Sequence, residues 1–138
     1  MAGDSILQFG ERRPGIRYRV RPGSYAVVLD GAGGVALIYE DDEWGLPGGG
    51  KESSETPEET LQREVREECG CTARIVRSLG QAVEFTKSSS GEPLEVHGHY
   101  FLAEFVGAAT VSWHPFFRAQ SLLVRRSQAW AIRSAVGT

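Results

Sequence analysis

The chain has 138 residues, of which 41% are hydrophobic and 24% charged, and its formal net charge is −3. That is the size of one ordinary domain with its own core, read as residues 1–138, and it excludes a disordered chain and a strongly basic nucleic-acid scaffold. No apolar run approaches the roughly 20 residues of a membrane-spanning helix. Cys69 and Cys71, separated by one residue, make no disulfide framework; with no basic leader in Met1 to Phe9, they point to a reducing cytoplasm.

In chain order, Ile16, Tyr18 and Val20 alternate with Arg17, Arg19 and Arg21, the period of a short half-exposed strand. Tyr25 to Leu29 reads as a buried strand, Asp30 to Gly34 as a turn and Val35 to Tyr39 as the returning arm of a hairpin. A second turn falls at Asp41-Asp42-Glu43, and Trp44 to Gly50 is a glycine-rich loop that permits close ligand approach.

A helix is predicted next. Thr56 suits the N-cap, Pro57 the first helical position, and Glu59 completes a capping box. Leu61, Val65 and Cys69 form its apolar stripe, and Gly70 stops it. Residues 72–86 read as one or two strands interrupted near Gly80, followed by a serine-rich turn at Lys87 to Gly91. Glu95 to Val106 reads as a strand with Phe101 and Phe105 on one face and Tyr100 and Leu102 on the other. Val111 to Phe117 reads as a strand broken by Pro115. An amphipathic helix over 119–136, carrying Leu122, Leu123, Ala129, Trp130, Ile132 and Val136, ends the chain. The order implies an α/β fold with a mixed sheet and helices on its faces.

The small net charge hides an uneven distribution. Residues 40–68 hold 11 of the 18 acids against three basic residues, a local balance of −8, while both flanks are arginine-rich. Glu64, Glu67 and Glu68 share one face of the predicted helix at i, i+3 and i+4, opposite the apolar stripe. They repel one another, and the C-terminal end of a helix disfavours anions. A divalent cation relieves both effects, and carboxylates with a backbone carbonyl are the ligands Mg²⁺ takes. On spacing alone, a solvated acidic helix face is the ordinary outcome.

The wider segment is far more specific. Gly49, five residues, Glu55, seven residues, then Arg63-Glu64-Val65-Arg66-Glu67-Glu68-Cys69-Gly70-Cys71 fits the pattern G-x5-E-x7-R-E-U-x-E-E-x-G-U over 23 residues, where U is a bulky apolar residue. Cys71 is a small occupant of the last position, and Ser54 stands where many such sequences have glycine. This segment, 49–71, resembles the signature box of the Nudix hydrolase superfamily, the MutT-like proteins. The resemblance implies an α/β/α sandwich that hydrolyses a diphosphate linkage in nucleotides or nucleoside diphosphate derivatives with Mg²⁺ or Mn²⁺. By the same resemblance, Glu64, Glu67, Glu68 and the Gly48 carbonyl would hold the metal. Arg63 would orient a box glutamate, and Glu55 would assist. Glu64 is the favoured general base, with Glu84 and Glu95 as alternatives outside the box.

Substrate choice follows by exclusion. The proline linked with ADP-ribose hydrolases is absent where Phe85 and Thr86 stand, and the tyrosine linked with dinucleoside polyphosphate hydrolases is absent from Lys87 to Ser90. What is left is a (deoxy)nucleoside triphosphate, or a specificity outside the assigned subfamilies. Arg17, Arg19, Arg21, Trp44 and Glu95 are the substrate-binding candidates, each set against an ordinary role as edge-strand charge, core aromatic or surface group. His97, His99 and His114 are expected to be surface or hydrogen-bonding residues. A non-catalytic nucleotide sensor or interaction domain is the competing reading, and such proteins usually lose box glutamates, none of which is lost here. Neither a membrane nor a stable nucleic-acid complex is expected, and the family habit leaves a homodimer open.

Overall fold

The computed structural model describes residues 5–137. The first four residues of the Met1–Phe9 segment and Thr138 lie outside it, as does the side chain of Leu122. The order of elements is β1 (Leu7–Phe9), β2 (Arg19–Val27), β3 (Gly34–Glu40), β4 (Glu43–Gly45), β5 (Gly48–Gly50), α1 (Pro57–Cys69), β6 (Thr72–Lys87), β7 (Pro93–Val106) and β8 (Ser112–Pro115). A single turn α2 (Phe116–Arg118), a wider π-helical turn (Ala119–Leu123) and α3 (Arg126–Val136) follow.

Five strands form a mixed sheet in the order β1-β6-β7-β2-β5, and a smaller antiparallel sheet runs β4-β3-β8. The side-chain period of two sends Tyr25, Val27, Leu94, Val96 and Tyr100 to one face of the large sheet, where they pack on Ala131 and Ile132 of α3. Ala26, Val28, Phe101 and Ala103 go to the other face, against Leu61, Val65 and Cys69 of α1. The result is the expected α/β/α sandwich. Among the described residues, no helix is long and apolar enough to cross a membrane.

Helix α1 follows its local signals. Thr56 accepts from the Glu59 N–H at 3.1 Å, the Glu59 side chain accepts from the Thr56 N–H at 2.8 Å, and Gly70 closes the helix in the left-handed conformation. The strand containing the arginine row does not begin at Ile16. It starts at Arg19 and runs unbroken to Val27, because parallel pairing of Arg19–Val27 with Leu94–Leu102 carries it through Pro22 and Gly23. The Asp30–Gly34 turn forms, with Asp30 N donating to Gly34 O at 3.1 Å, but the hairpin lasts only through the Leu29–Val35 bridge before β3 leaves for the small sheet. Residues 72–87 are one strand, with register shifts at Ile75/Arg77 and Ser78/Gly80. The C-terminal helix is broken: Val124 adopts an extended conformation between the π-helical turn and α3.

Candidate active site

Two short strands frame the site. At the tip between β3 and β4, Asp41 and Asp42 have φ of 52° and 63°, the left-handed pair of a two-residue I′ turn. This hairpin lines the same cleft as β5, the edge strand made of three glycines. Gly48 has φ +143°, and a Cβ there would stand 2.1 Å from Ser24 O, so no other residue fits. Ala26 N donates to Pro47 O and Lys51 N to Pro22 O, so residues 47, 49 and 51 face β2. By alternation, the N–H and C=O of Gly48 both point outward, toward α1.

The outward groups meet the acidic face of the helix. Gly48 N donates to Glu68 Oε1 at 2.9 Å, and Arg63 Nη2 donates to Gly50 O at 2.8 Å. Arg63 is the hub of the site. Its Nε and Nη2 grip the two oxygens of Glu55 at 2.6 and 3.1 Å, and its Nη1 reaches Glu64 at 3.1 Å and Glu67 at 3.2 Å. Glu55 also accepts from the Glu52 N–H at 2.8 Å and the Thr60 hydroxyl at 3.0 Å. Such a two-pronged grip requires a guanidinium; an ammonium cannot reproduce it.

The electrostatics are uneven across this cluster. The bonds from Arg63, with the Glu52 N–H, hold Glu55 down to about 2. Burial pushes Glu68 up to about 8; the Gly48 N–H pulls it back, while Glu64 and Glu40 push it further up. Burial likewise raises Glu64, against the pull of Arg63. Two half-buried carboxylates that resist ionising side by side, next to an outward backbone carbonyl, are the donor set of a hard divalent cation. Among the described residues, no three metal-ligating side chains already converge, because Glu64 and Glu67 lean on Arg63 and Glu68 on Gly48 N–H.

Glu64, Glu68, Gly48 and Gly49 form one wall of a cleft of about 170 Å³. Its other walls are the β3–β4 hairpin with Glu40, Asp41, Glu43 and Trp44, the β2 residues Arg21 and Tyr25, the Ser88-Ser89 turn, and Arg125 and Gln128 at the start of α3. Arg125 pairs with Glu43 at 2.9 Å, and Gln128 accepts from the Leu46 N–H at 3.0 Å, so α3 is tied to the glycine-rich segment. Trp44 sits edge-on to His114 at 4.6 Å between ring centroids.

The candidates from the sequence therefore divide. Glu55, Arg63, Glu64, Glu67, Glu68 and Gly48 come together, and Arg21 and Trp44 line the adjoining cleft. Arg17 is exposed outside any strand, and Arg19 turns away to Glu92, at 2.9 and 3.1 Å. Glu95 does not line the cleft; it pairs with Arg12 and with His97 at 2.7 Å. Glu84 is buried and accepts from the Ser127 N–H at 3.0 Å and its hydroxyl at 2.5 Å, which caps the N-terminus of α3. Tyr25, Glu40, Arg125 and Gln128 carried no local signal: they reach the cleft through strand register and a contact some eighty residues away in sequence.

The NUDIX domain family model matches residues 19–121. Among curated proteins, the chain is 31% identical over 117 residues to "Putative mutator protein MutT4" of Mycobacterium tuberculosis, covering 70% of this chain and 47% of that protein. It is 32% identical over 110 residues to "Putative 8-oxo-dGTP diphosphatase 3" of the same organism, covering 72% and 42%. The chain thus spans less than half the length of these relatives. Among solved structures, a MutT NUDIX hydrolase from Burkholderia pseudomallei superposes with a TM-score of 0.69 at 21% identity, over 86% of this chain and 99% of that one. The E. coli dihydroneopterin triphosphate pyrophosphohydrolase superposes with a TM-score of 0.67 at 18% identity, over 86% and 97%.

Proposed function

Since the chain belongs to the NUDIX domain family, whose members generally use divalent cations, we propose that it is a pyrophosphohydrolase that cleaves the diphosphate linkage of a nucleotide. The (deoxy)nucleoside triphosphates are the substrate class, and residues 1–138 act as one unit. The observation that carries this reading is the Arg63 hub, which holds Glu55, Glu64 and Glu67 on one side of the cleft while Glu68 is fixed to Gly48 N–H. The name of one mycobacterial relative, an 8-oxo-dGTP diphosphatase, favours triphosphates.

In this reading Glu64, Glu67, Glu68 and the Gly48 carbonyl hold Mg²⁺ or Mn²⁺. When bound, the cation supplies charge neutralisation at the phosphoryl oxygens and a more acidic water. Arg63 keeps the carboxylates from relaxing into solvent, and Glu55 fixes the Arg63 fork in turn. Hydrolysis adds one water across a P–O–P bridge: its oxygen bonds one phosphorus, the bridging oxygen leaves with the other, and Glu64 accepts the proton. Glu84 and Glu95 are poor rivals as the base, since one caps α3 and the other is paired with Arg12 and His97. A panel of unmodified and oxidised dNTPs, nucleoside diphosphate sugars, ADP-ribose and dinucleoside polyphosphates, assayed for phosphate and pyrophosphate release with Mg²⁺, tests the proposal. Turnover of triphosphates supports it. Turnover confined to another class removes the substrate assignment, and binding without turnover removes the enzyme.

A further inference from the structure

Among the donors that line the cleft, those of Tyr25 and Arg21 have no partner among the described residues. Tyr25 is 8% exposed and its ring stacks on Tyr100, 5.5 Å between centroids. Its hydroxyl ends in the cleft without a hydrogen-bond partner among the described residues. Arg21 is half-buried in the same cleft, and its guanidinium makes no ion pair or hydrogen bond among the described residues. Arg125, the other arginine of the cleft, is already matched with Glu43. Donors that line a cleft without a protein partner are free to bind a ligand, and a cation and a hydroxyl side by side call for an anionic oxygen.

The backbone places these two groups together. A Cβ on Gly23 would stand 3.0 Å from Tyr25 Oη, and a Cβ on Gly50 would stand 3.5 Å from Arg21 Nε. Gly23 and Gly50 are cross-strand partners, so hydroxyl and guanidinium lie over one pair of glycines. Gly49 faces the other way, with a Cβ position 2.7 Å from the Glu64 carboxylate. The side-chain-free strand β5 thus separates the carboxylate wall from the Arg21–Tyr25 wall, and a ligand lying across it reaches both.

We propose that Arg21 and the Tyr25 hydroxyl form a cradle for a phosphoryl group of the substrate outside the cleaved linkage, which makes the cleft selective for triphosphates over diphosphate conjugates. The inference rests on the hydrolase reading: the glutamate wall takes the linkage that is cut, so a diphosphate conjugate has no anionic group left for the second wall. Both residues are positioning residues.

The test is calorimetric titration, in Mg²⁺, of a deoxynucleoside triphosphate with a methylene-bridged α,β linkage against the matching methylene-bridged diphosphate. The wild type binds the triphosphate more tightly. Tyr25→Phe, which keeps the ring stack, and Arg21→Gln each lower the ratio of the two affinities about tenfold, as expected for one charge-assisted hydrogen bond. Thermal melts of both variants check that the fold is intact. A wild type without preference, or a ratio unchanged in both folded variants, overturns the cradle. A wild type that shows the preference, loses it in the variants, and hydrolyses nothing in the substrate panel keeps the cradle and removes the hydrolase.

Discussion

Replacing Gly49 by alanine separates the site from the fold. The φ of Gly49 lies outside the left-handed region, so the backbone accepts a side chain, and the three atoms nearest the added Cβ all belong to the Glu64 carboxyl group, at 2.7–2.8 Å. Ordinary contact begins near 3.4 Å, so the carboxylate must retreat by about 0.7 Å. It sits at the free end of a flexible side chain and can move, which keeps the stability cost below about 1 kcal/mol. The retreat draws Glu64 off Arg63 Nη1, now at 3.1 Å, and a misplacement of this size costs roughly 10²-fold in rate. Gly48→Ala is the contrast: its Cβ would meet Ser24 O at 2.1 Å with φ at +143°, and the protein should lose about 3 kcal/mol or more. Steady-state kcat/KM by pyrophosphate release, paired with thermal melts, checks both. Wild-type kcat/KM in Gly49→Ala, or a melt as low as that of Gly48→Ala, would refute the reasoning.

The metal-free protein should lose stability as pH rises from 5 to 8. Glu68 titrates at about 8 when folded against an ordinary 4.5, so the folded state binds more protons in that window. With solvent reaching part of the group, the loss is about 1–2 kcal/mol, or roughly 3–8 °C in Tm, and Mg²⁺ should restore it; a melt in EDTA that is flat or rises over this range refutes the assignment. Glu55, held down to about 2, contributes in a different window: its share is lost only as pH falls below about 4.5. Glu64→Gln should lower kcat by about 10³-fold or more, while Glu84→Ala should mainly cost about 2–3 kcal/mol of stability through the uncapped Ser127, read by urea unfolding. A kcat loss larger for Glu84→Gln or Glu95→Gln than for Glu64→Gln would reassign the base.

What was legible in the sequence is what the chain encodes locally. Helix α1 announces itself through Thr56, Pro57, Glu59 and Gly70, which act within one turn of each end. The grouping of Glu55, Arg63, Glu64, Glu67 and Glu68 follows from helical geometry and the box spacing. Strand β1 left no signal: it is three residues long, parallel and at the edge, and exists because Leu7–Phe9 pair with Ala82–Glu84. Strand β5 hides in a glycine run, and β4 straddles the Asp41–Glu43 turn and the Trp44–Gly50 segment that reads as loop. The arginine row shows the limit of periodicity. Arg19 and Arg21 share a strand face, yet Glu92 captures Arg19 and leaves Arg21 for the cleft, a choice made by a turn some seventy residues downstream. Likewise, the C-terminal helix pattern gives no hint of the break at Val124 that brings Arg125 and Gln128 to the cleft.

The central claim is that the carboxylate wall holds the cation on which turnover depends. Its most direct test is a Mg²⁺ titration by calorimetry on wild type and Glu68→Gln, with triphosphate hydrolysis measured on the same samples. The account predicts Mg²⁺ binding and turnover in the wild type, no hydrolysis in EDTA, and in Glu68→Gln weakened Mg²⁺ binding with kcat down about 10³-fold and an intact melt. Undiminished hydrolysis in EDTA, or a folded Glu68→Gln variant that binds Mg²⁺ and turns over like the wild type, would contradict it.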